Sequence, residues 1–162
     1  MRRELASTEW ETPQDFFDSL NDEFRFTLDA CATPENAKCA QYFTSQHDGL
    51  DRDWSHEIVW MNPPYDKTVG KWVAKAYREA QKGATVVILI QARSADTRMW
   101  HDYVMRASEW RLVRGRLQFL KGGKPGSGSN ISSIVVVFRP GCQGPPLVSG
   151  IDKTGKVLAH SY

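Results

Sequence analysis

Residues 57–65 read EIVWMNPPY, an apolar run that breaks into an asparagine, two prolines and a tyrosine. Ile58, Val59, Trp60 and Met61 suit a buried strand. Asn62-Pro63-Pro64 must end it, because proline has no N–H for a ladder and restrains the residue before it. The strand therefore opens onto a stiff loop with an aromatic ring, Tyr65, at its far end. Beyond the loop, Val69, Trp72, Val73, Ala76, Tyr77 and Ala80 recur at helical spacing, and Gly83 stands where a C-terminal cap belongs. ATVVILI (84–90) then has the continuous apolar character of a strand buried on both faces. Strand, helix and strand in this order place the chain in the α/β class, with ligands at the carboxyl ends of its strands.

The flanking sequence extends the same alternation. Thr12-Pro13-Gln14-Asp15 reads as a helix start, with Thr12 as cap, proline in the first turn, and Phe16, Phe17 and Leu20 on one face. FRFTLDACA (24–32) reads as a strand, TPENAKC as a turn, and QYFT (41–44) as a short second strand. HDGLDRDW (47–54) is a polar turn. A helix is expected over 96–107 with Trp100, Tyr103, Val104 and Ala107 inward. EWRLVRG (109–115) and SSIVVVFRP (132–140) follow as strands, separated by the flexible GGKPGSGSN (122–130). GIDKTGKVLAHSY is expected to form a hairpin about Lys153-Thr154-Gly155. These elements predict one domain over 1–162, a compact mixed sheet with helices on both faces, and a rim carrying Asp29, Asp48 and Asn62–Tyr65.

Composition narrows the classes. With 41% hydrophobic and 11% aromatic residues in 162, the chain can bury a core, which argues against disorder. No apolar run approaches the roughly 20 residues needed to span a bilayer, and MRRELASTEWETP lacks the apolar centre of a signal peptide, so no membrane partner is expected. Cys31, Cys39 and Cys142 lack metal-site spacing and read as reduced thiols, and no metal is expected. Net charge is only +2, but residues 1–83 hold ten Lys/Arg against fifteen Asp/Glu, and residues 84–162 hold eleven against four. The C-terminal half is thus the candidate surface for a polyanion.

At a sheet rim, Asn62 offers a side-chain carbonyl and Pro63 a backbone carbonyl that no ladder uses. Two acceptors on a proline-stiffened loop can grip a planar exocyclic NH₂ group, and Tyr65 can stack on the ring that bears it. Such a grip directs the amine's lone pair toward an activated methyl group, so that orientation supplies much of the catalysis.

NPPY at a strand end resembles the catalytic motif of S-adenosylmethionine-dependent amino-methyltransferases. TPQDFFDSL, TLDACA, HDGLDRDW, EIVWMNPPY, TVVILIQARSADTRMWHDYV and RGRLQF together resemble the compact Dam-type DNA N6-adenine methyltransferases of bacteriophages and prophages, over about residues 10–140. The resemblance implies a Rossmann-like methyltransferase fold without a separate target-recognition domain, S-adenosylmethionine as cofactor, DNA as partner, and a cytoplasmic location in a bacterial host. It implies that Asn62 and Pro63 accept the adenine amine's hydrogen bonds, Pro64 fixes the loop and Tyr65 stacks on the flipped base. Asp29, with Ala30 and Cys31, is implied beside the amino-acid part of the cofactor, Asp48 beside its adenine, and Thr12 and Pro13 at its methionine end. Two departures stand out: DACATPENAK has no glycine, and few residues separate it from Asp48. Asp51 and Asp53 are candidates for the ribose.

A base inside a duplex cannot reach a buried methyl donor, so the target would be flipped out. Arg93, Arg98, Arg114, Arg116, Lys121 and Lys124 are the main candidate phosphate contacts, with Arg106, Arg111 and Arg139 as further ones. The loop LKGGKPGSGSN (120–130) is the candidate for sequence readout, and a homodimer is open. The competing readings are methylation of guanine in ribosomal RNA or of a protein glutamine amide, and a non-catalytic nucleic-acid-binding module.

Overall fold

The computed structural model describes residues 10–44, 49–126 and 131–158. Its central sheet has six strands in the order β1-β2-β3-β7-β4-β8. They are β1 (Leu28–Asp29), β2 (Ile58–Met61), β3 (Thr85–Gln91), β4 (Glu109–Val113), β7 (Ser133–Phe138) and β8 (Leu147–Ile151). β5 (Leu120–Lys121) and β6 (Lys124–Pro125) form a separate hairpin. β1, β2 and β3 are parallel, as are β4 and β8, while β7 runs antiparallel to both of its neighbours. The carboxyl ends of five strands therefore share one rim, marked by Asp29, Met61, Gln91, Val113 and Ile151.

Alternation along β3 and β7 assigns the two faces. Val87, Leu89, Val135 and Val137 join Trp60 under α1 (Gln14–Phe24), which contributes Phe16, Phe17, Leu20 and Phe24. Val86, Ile88, Ile90, Ile134, Val136 and Phe138 lie under α2 (Val69–Gln81) and α3 (Arg98–Asp102), which contribute Trp72, Val73, Ala76, Ala80 and Trp100. Val86 to Ile90 are all buried to within 1%. Each such aliphatic side chain contributes about 1.5–3 kcal/mol on burial. The strand beside the tetrad is thus firmly anchored, as is its antiparallel neighbour β7.

Several expected elements differ in extent. The strand expected over 24–32 is two residues long, because α1 runs on to Phe24 and ends with Arg25 in the left-handed region at φ 57°. Thr12 does not cap α1, since its hydroxyl is committed elsewhere. In place of a strand at 41–44, Tyr42 makes one bridge to Asp29. The helix expected over 96–107 stops at Asp102 and resumes as a 3-10 turn at Val104–Arg106. The reason is competition for its backbone: Trp110 Nε1 donates to the Val104 carbonyl at 2.9 Å, and the Ser108 N–H goes to Val137. Trp100, Val104 and Ala107 are nonetheless buried as expected. Residues 120–125, expected to be loop, pair as the β5–β6 hairpin about Gly122 and Gly123, both at positive φ. β8 was not anticipated. The C-terminal turn is present, with Ile151 bridging Val157 around Asp152–Lys156.

Candidate active site

Asn62 follows β2 directly and is 9% exposed. Its Nδ2 donates to the Trp10 carbonyl and to Thr12 Oγ1, both at 3.2 Å. With both amide hydrogens spent on fixed acceptors, the amide cannot turn over, and Oδ1 faces Tyr65. Pro63 and Pro64 are buried behind it. The Tyr65 hydroxyl lies 3.1 Å from Asn62 Oδ1 and 3.3 Å from the Leu89 carbonyl, and its ring meets the Phe119 ring edge-on at 6.5 Å. Burial holds this phenol above its ordinary value, so it stays protonated. On its outer side Tyr65 borders a cleft of about 240 Å³ that is also lined by Val69, Gly70, Ile90, Arg93 and Met99.

On the other side of Asn62 a narrow pocket gathers Thr12, Asp29, Cys31, Lys38 and Trp60. Asp29 ends β1 and is 3% exposed. Its carboxylate accepts backbone N–H groups of Cys31 at 3.3 Å and Lys38 at 3.0 Å. Burial outweighs these bonds and raises it to about 7. The same bonds explain how a turn without glycine closes: Asp29 binds its two ends, and Thr33 and Asn36 exchange side-chain bonds across its middle. Burial also pushes the Cys31 thiol up to about 12. Ala30 is buried, and the Gly49–Asp51 turn packs so closely on it that a Cβ at Gly49 would stand 2.6 Å from the Ala30 carbonyl oxygen. Pro13, next to Thr12, is half-buried. Asp48 lies outside the described residues. Asp51 and Asp53 are exposed, and Asp53 accepts the Ser55 N–H.

A buried carboxylate raised by desolvation, facing an oriented amide across a few side chains, suits a small ligand that carries positive charge. The profile of one protein family, DNA N-6-adenine-methyltransferase (Dam), matches residues 3–157. This chain belongs to the Dam family. It is 26% identical over 137 residues to a DNA N-6-adenine-methyltransferase of Haemophilus phage HP1, covering 81% of this chain and 78% of that protein. It is also 26% identical over 156 residues to a DNA N-6-adenine-methyltransferase of Escherichia phage T1, covering 80% of this chain and 62% of that protein.

Around this Dam-family site the basic residues divide by rim. Arg93 lines the cleft beside Tyr65, and Arg98 begins α3. Arg114 and Arg116 follow β4 at the same rim and are exposed. Lys121 and Lys124 are exposed on the β5–β6 hairpin, which is tied to the site through Glu11: Glu11 bridges Leu120 and accepts the Gly123 N–H. Arg106, Arg111 and Arg139 lie toward the opposite rim. Arg111 is buried in a bidentate bond to Glu23, and Arg139 pairs with Glu109. That pairing gives the buried Arg111 a structural role in place of the phosphate contact expected of it, whereas Arg139 stays about half exposed beside Glu109.

Sequence reasoning missed Trp10, Glu11 and Lys38. Trp10 acts through a backbone carbonyl and Lys38 through its N–H, so neither carries a side-chain signal. Among the described residues no group of three or more His, Cys, Asp or Glu side chains is arranged to hold a metal ion. No helix among them is long and apolar enough to cross a membrane.

Proposed function

We propose that this chain transfers a methyl group from S-adenosylmethionine to N6 of an adenine flipped out of DNA. The observation that carries the reading is the fixed amide of Asn62, whose Oδ1 stands beside Tyr65 and its cleft while Asp29 waits buried behind it. Parallel β1-β2-β3 followed by the reversed β7 supports a Rossmann-like methyltransferase domain. The family match over residues 3–157 supports reading the sequence as one such domain, working on DNA in a bacterial cytoplasm.

The residues present fit the cofactor. Asp29 would hold its cationic amino-acid end, where a positive charge restores the ionised carboxylate, and Thr12, Pro13, Ala30 and Cys31 would border it. Asp48 is assigned to the cofactor's adenine from sequence alone. When bound, S-adenosylmethionine supplies an electrophilic methyl group. Asn62 Oδ1 and the Pro63 carbonyl would accept hydrogen bonds from the two N6 hydrogens, directing the nitrogen lone pair away from the ring. They would also disperse the charge N6 develops as its bond to the methyl forms and the methyl's bond to sulfur breaks, leaving a neutral thioether. The surplus N6 proton would then pass to solvent. Pro64 keeps the loop stiff, and Tyr65 moves its hydroxyl off Asn62 to present its ring to the base. Burial holds Cys31 as a thiol, and the proposed route is direct, in-line transfer without a covalent enzyme intermediate. Arg93, Arg114, Arg116, Lys121 and Lys124 would meet phosphates around the cleft.

The test is transfer of labelled methyl from S-adenosylmethionine to unmethylated DNA, followed by digestion to nucleosides. Label in N6-methyladenine that disappears in a folded Asn62→Ala variant is expected. Label in RNA or protein alone would replace the substrate, and no transfer to any of them would overturn the reading.

A further inference from the structure

Between α2 and α3 runs a groove of about 610 Å³ walled by Lys71, Lys75, Arg78 and Arg98, with Asp102 the one acid among the described residues of its lining. Gly70 and Met99 line both this groove and the cleft beside Tyr65, so the two adjoin. Among the described residues, nothing lies within 4 Å of the position a Cβ would take at Gly70. Lys71, Lys75 and Arg78 recur at i, i+4 and i+7 and so share one face of α2.

These cations are not equally committed. Lys75 is bound inward by Glu79 at 3.1 Å, by the Arg52 carbonyl at 2.6 Å and by the Trp54 ring. Lys71 and Arg78 are exposed, and Arg78 reaches the Tyr103 hydroxyl at 3.4 Å. The Arg98 side chain is 98% exposed and meets Asp102 at 3.9 Å, an exposed pair that binds little. Among the described residues, three exposed cations thus present to one groove against a single carboxylate.

We propose that this groove holds the sugar–phosphate backbone of the DNA strand that delivers the flipped adenine, an inference that rests on the DNA-methylation reading above. A nucleotide in the cleft drags its neighbouring phosphates to the cleft's edge, and each strand of a duplex carries a charge about every 3.4 Å of helix axis. At the Gly70–Met99 edge the backbone meets the basic groove. The hairpin with Lys121 and Lys124 belongs to the opposite face of the sheet, where Phe119 packs with α1. The target strand is accordingly gripped from both faces, with Asn62 at the rim between them.

The test uses K71Q/R78Q/R98Q, three exposed substitutions, with R25Q/R106Q at the far rim as the charge control. Duplex binding is followed by fluorescence anisotropy from 50 to 300 mM salt, beside methyl transfer and stabilisation by S-adenosylmethionine. Three lost phosphate contacts predict a salt slope shallower by about 2.7 and affinity at least tenfold weaker, at roughly 0.9 per phosphate. Cofactor stabilisation should persist, and the control should keep the wild-type slope. Unchanged affinity and slope in the triple variant would overturn the groove while leaving methylation intact. Loss of cofactor stabilisation would also overturn it, since the groove would then serve the cofactor. If the wild type binds DNA through these residues without methylating it, the groove stands and the enzymatic reading falls.

Discussion

The Tyr65 hydroxyl donates to Oδ1 of Asn62 at 3.1 Å, so the first and last residues of the NPPY tetrad close on each other. In the protein without substrate, the acceptor proposed for the adenine amine is already occupied. Because Oδ1 has two lone pairs, a target base must either displace this bond or share the oxygen with it. A hydrogen bond of this kind is worth about 0.5–1.5 kcal/mol net. Tyr65→Phe keeps the ring and removes the competitor. It is expected to retain turnover and to bind DNA as well as the wild type or up to roughly tenfold tighter, whereas Tyr65→Ala loses the stacking surface. Steady-state kinetics on both variants decide the matter: a hundredfold loss of kcat/KM in Tyr65→Phe would mean that the hydroxyl itself takes part in catalysis.

Thr12 is 2% exposed and holds Asn62 Nδ2 at 3.2 Å. Thr12→Val preserves shape but leaves the amide hydrogen without its acceptor, at a cost of about 1–3 kcal/mol. The expected result is a fall in kcat of about tenfold or more with a smaller change in KM, restored by Thr12→Ser. Equal losses in the Val and Ser variants would assign Thr12 to packing or to the cofactor instead.

Asp29 gives a pH signature. Its carboxyl titrates near 7 in the folded protein against 3.8 ordinarily, so between about pH 4 and 7 the native state binds more protons than the unfolded state. Stability of the ligand-free protein from this group therefore declines as pH rises through that window, by roughly 4 kcal/mol at 1.36 kcal/mol per pKa unit. Asp29→Asn should flatten this part of a thermal-stability profile. A bound cation would favour the ionised form, so cofactor affinity should climb over the same range. Superimposable profiles for wild type and Asp29→Asn would refute the assignment.

Arg111 braces α1 against β4. It bonds Glu23 at 2.8 and 2.7 Å, meets Glu109 at 3.1 Å and lies over the Phe24 ring. Removing one partner of a buried pair costs about 3–5 kcal/mol, and the lower end applies because the Glu23 side chain is 43% exposed. Arg111→Ala should lower the unfolding free energy from urea titration by about 3 kcal/mol, seen as a lower midpoint at unchanged slope, without altering DNA binding at matched folding. The Arg111 hydrogen bond also holds the Glu23 carboxyl below its ordinary value. This contribution is full above the carboxylate range and fades as acid protonates Glu23, the opposite sense to Asp29. An urea midpoint unchanged in the variant would show the brace to be incidental.

Much of this was legible along the chain because it rests on local rules. Buried β2, β3 and β7 announce themselves as unbroken apolar runs, α2 by its 3.6-residue recurrence, and the tetrad by proline's inability to continue a ladder. The α2 cations were also visible at i, i+4 and i+7, but summing charge over halves of the chain buried them in an acidic total. α3 and β1 came out shorter than expected because neighbouring segments, the β4 strand through Trp110 for one and the continuing α1 for the other, competed for the same backbone.

By itself the sequence determined the α/β class, the rim on which Asp29 and Asn62 meet, and the family resemblance, since each depends on residues close in the chain. Only the tertiary structure decided how the site is held: Trp10 and Thr12 reach Asn62 across about fifty residues, Glu11 fastens the hairpin of Lys121 and Lys124, and Glu23 withdraws Arg111 from any ligand. Such bonds join backbone atoms and side chains whose separation along the chain carries no period or motif. They exist only once burial has brought the segments together and obliged every polar group to find a partner.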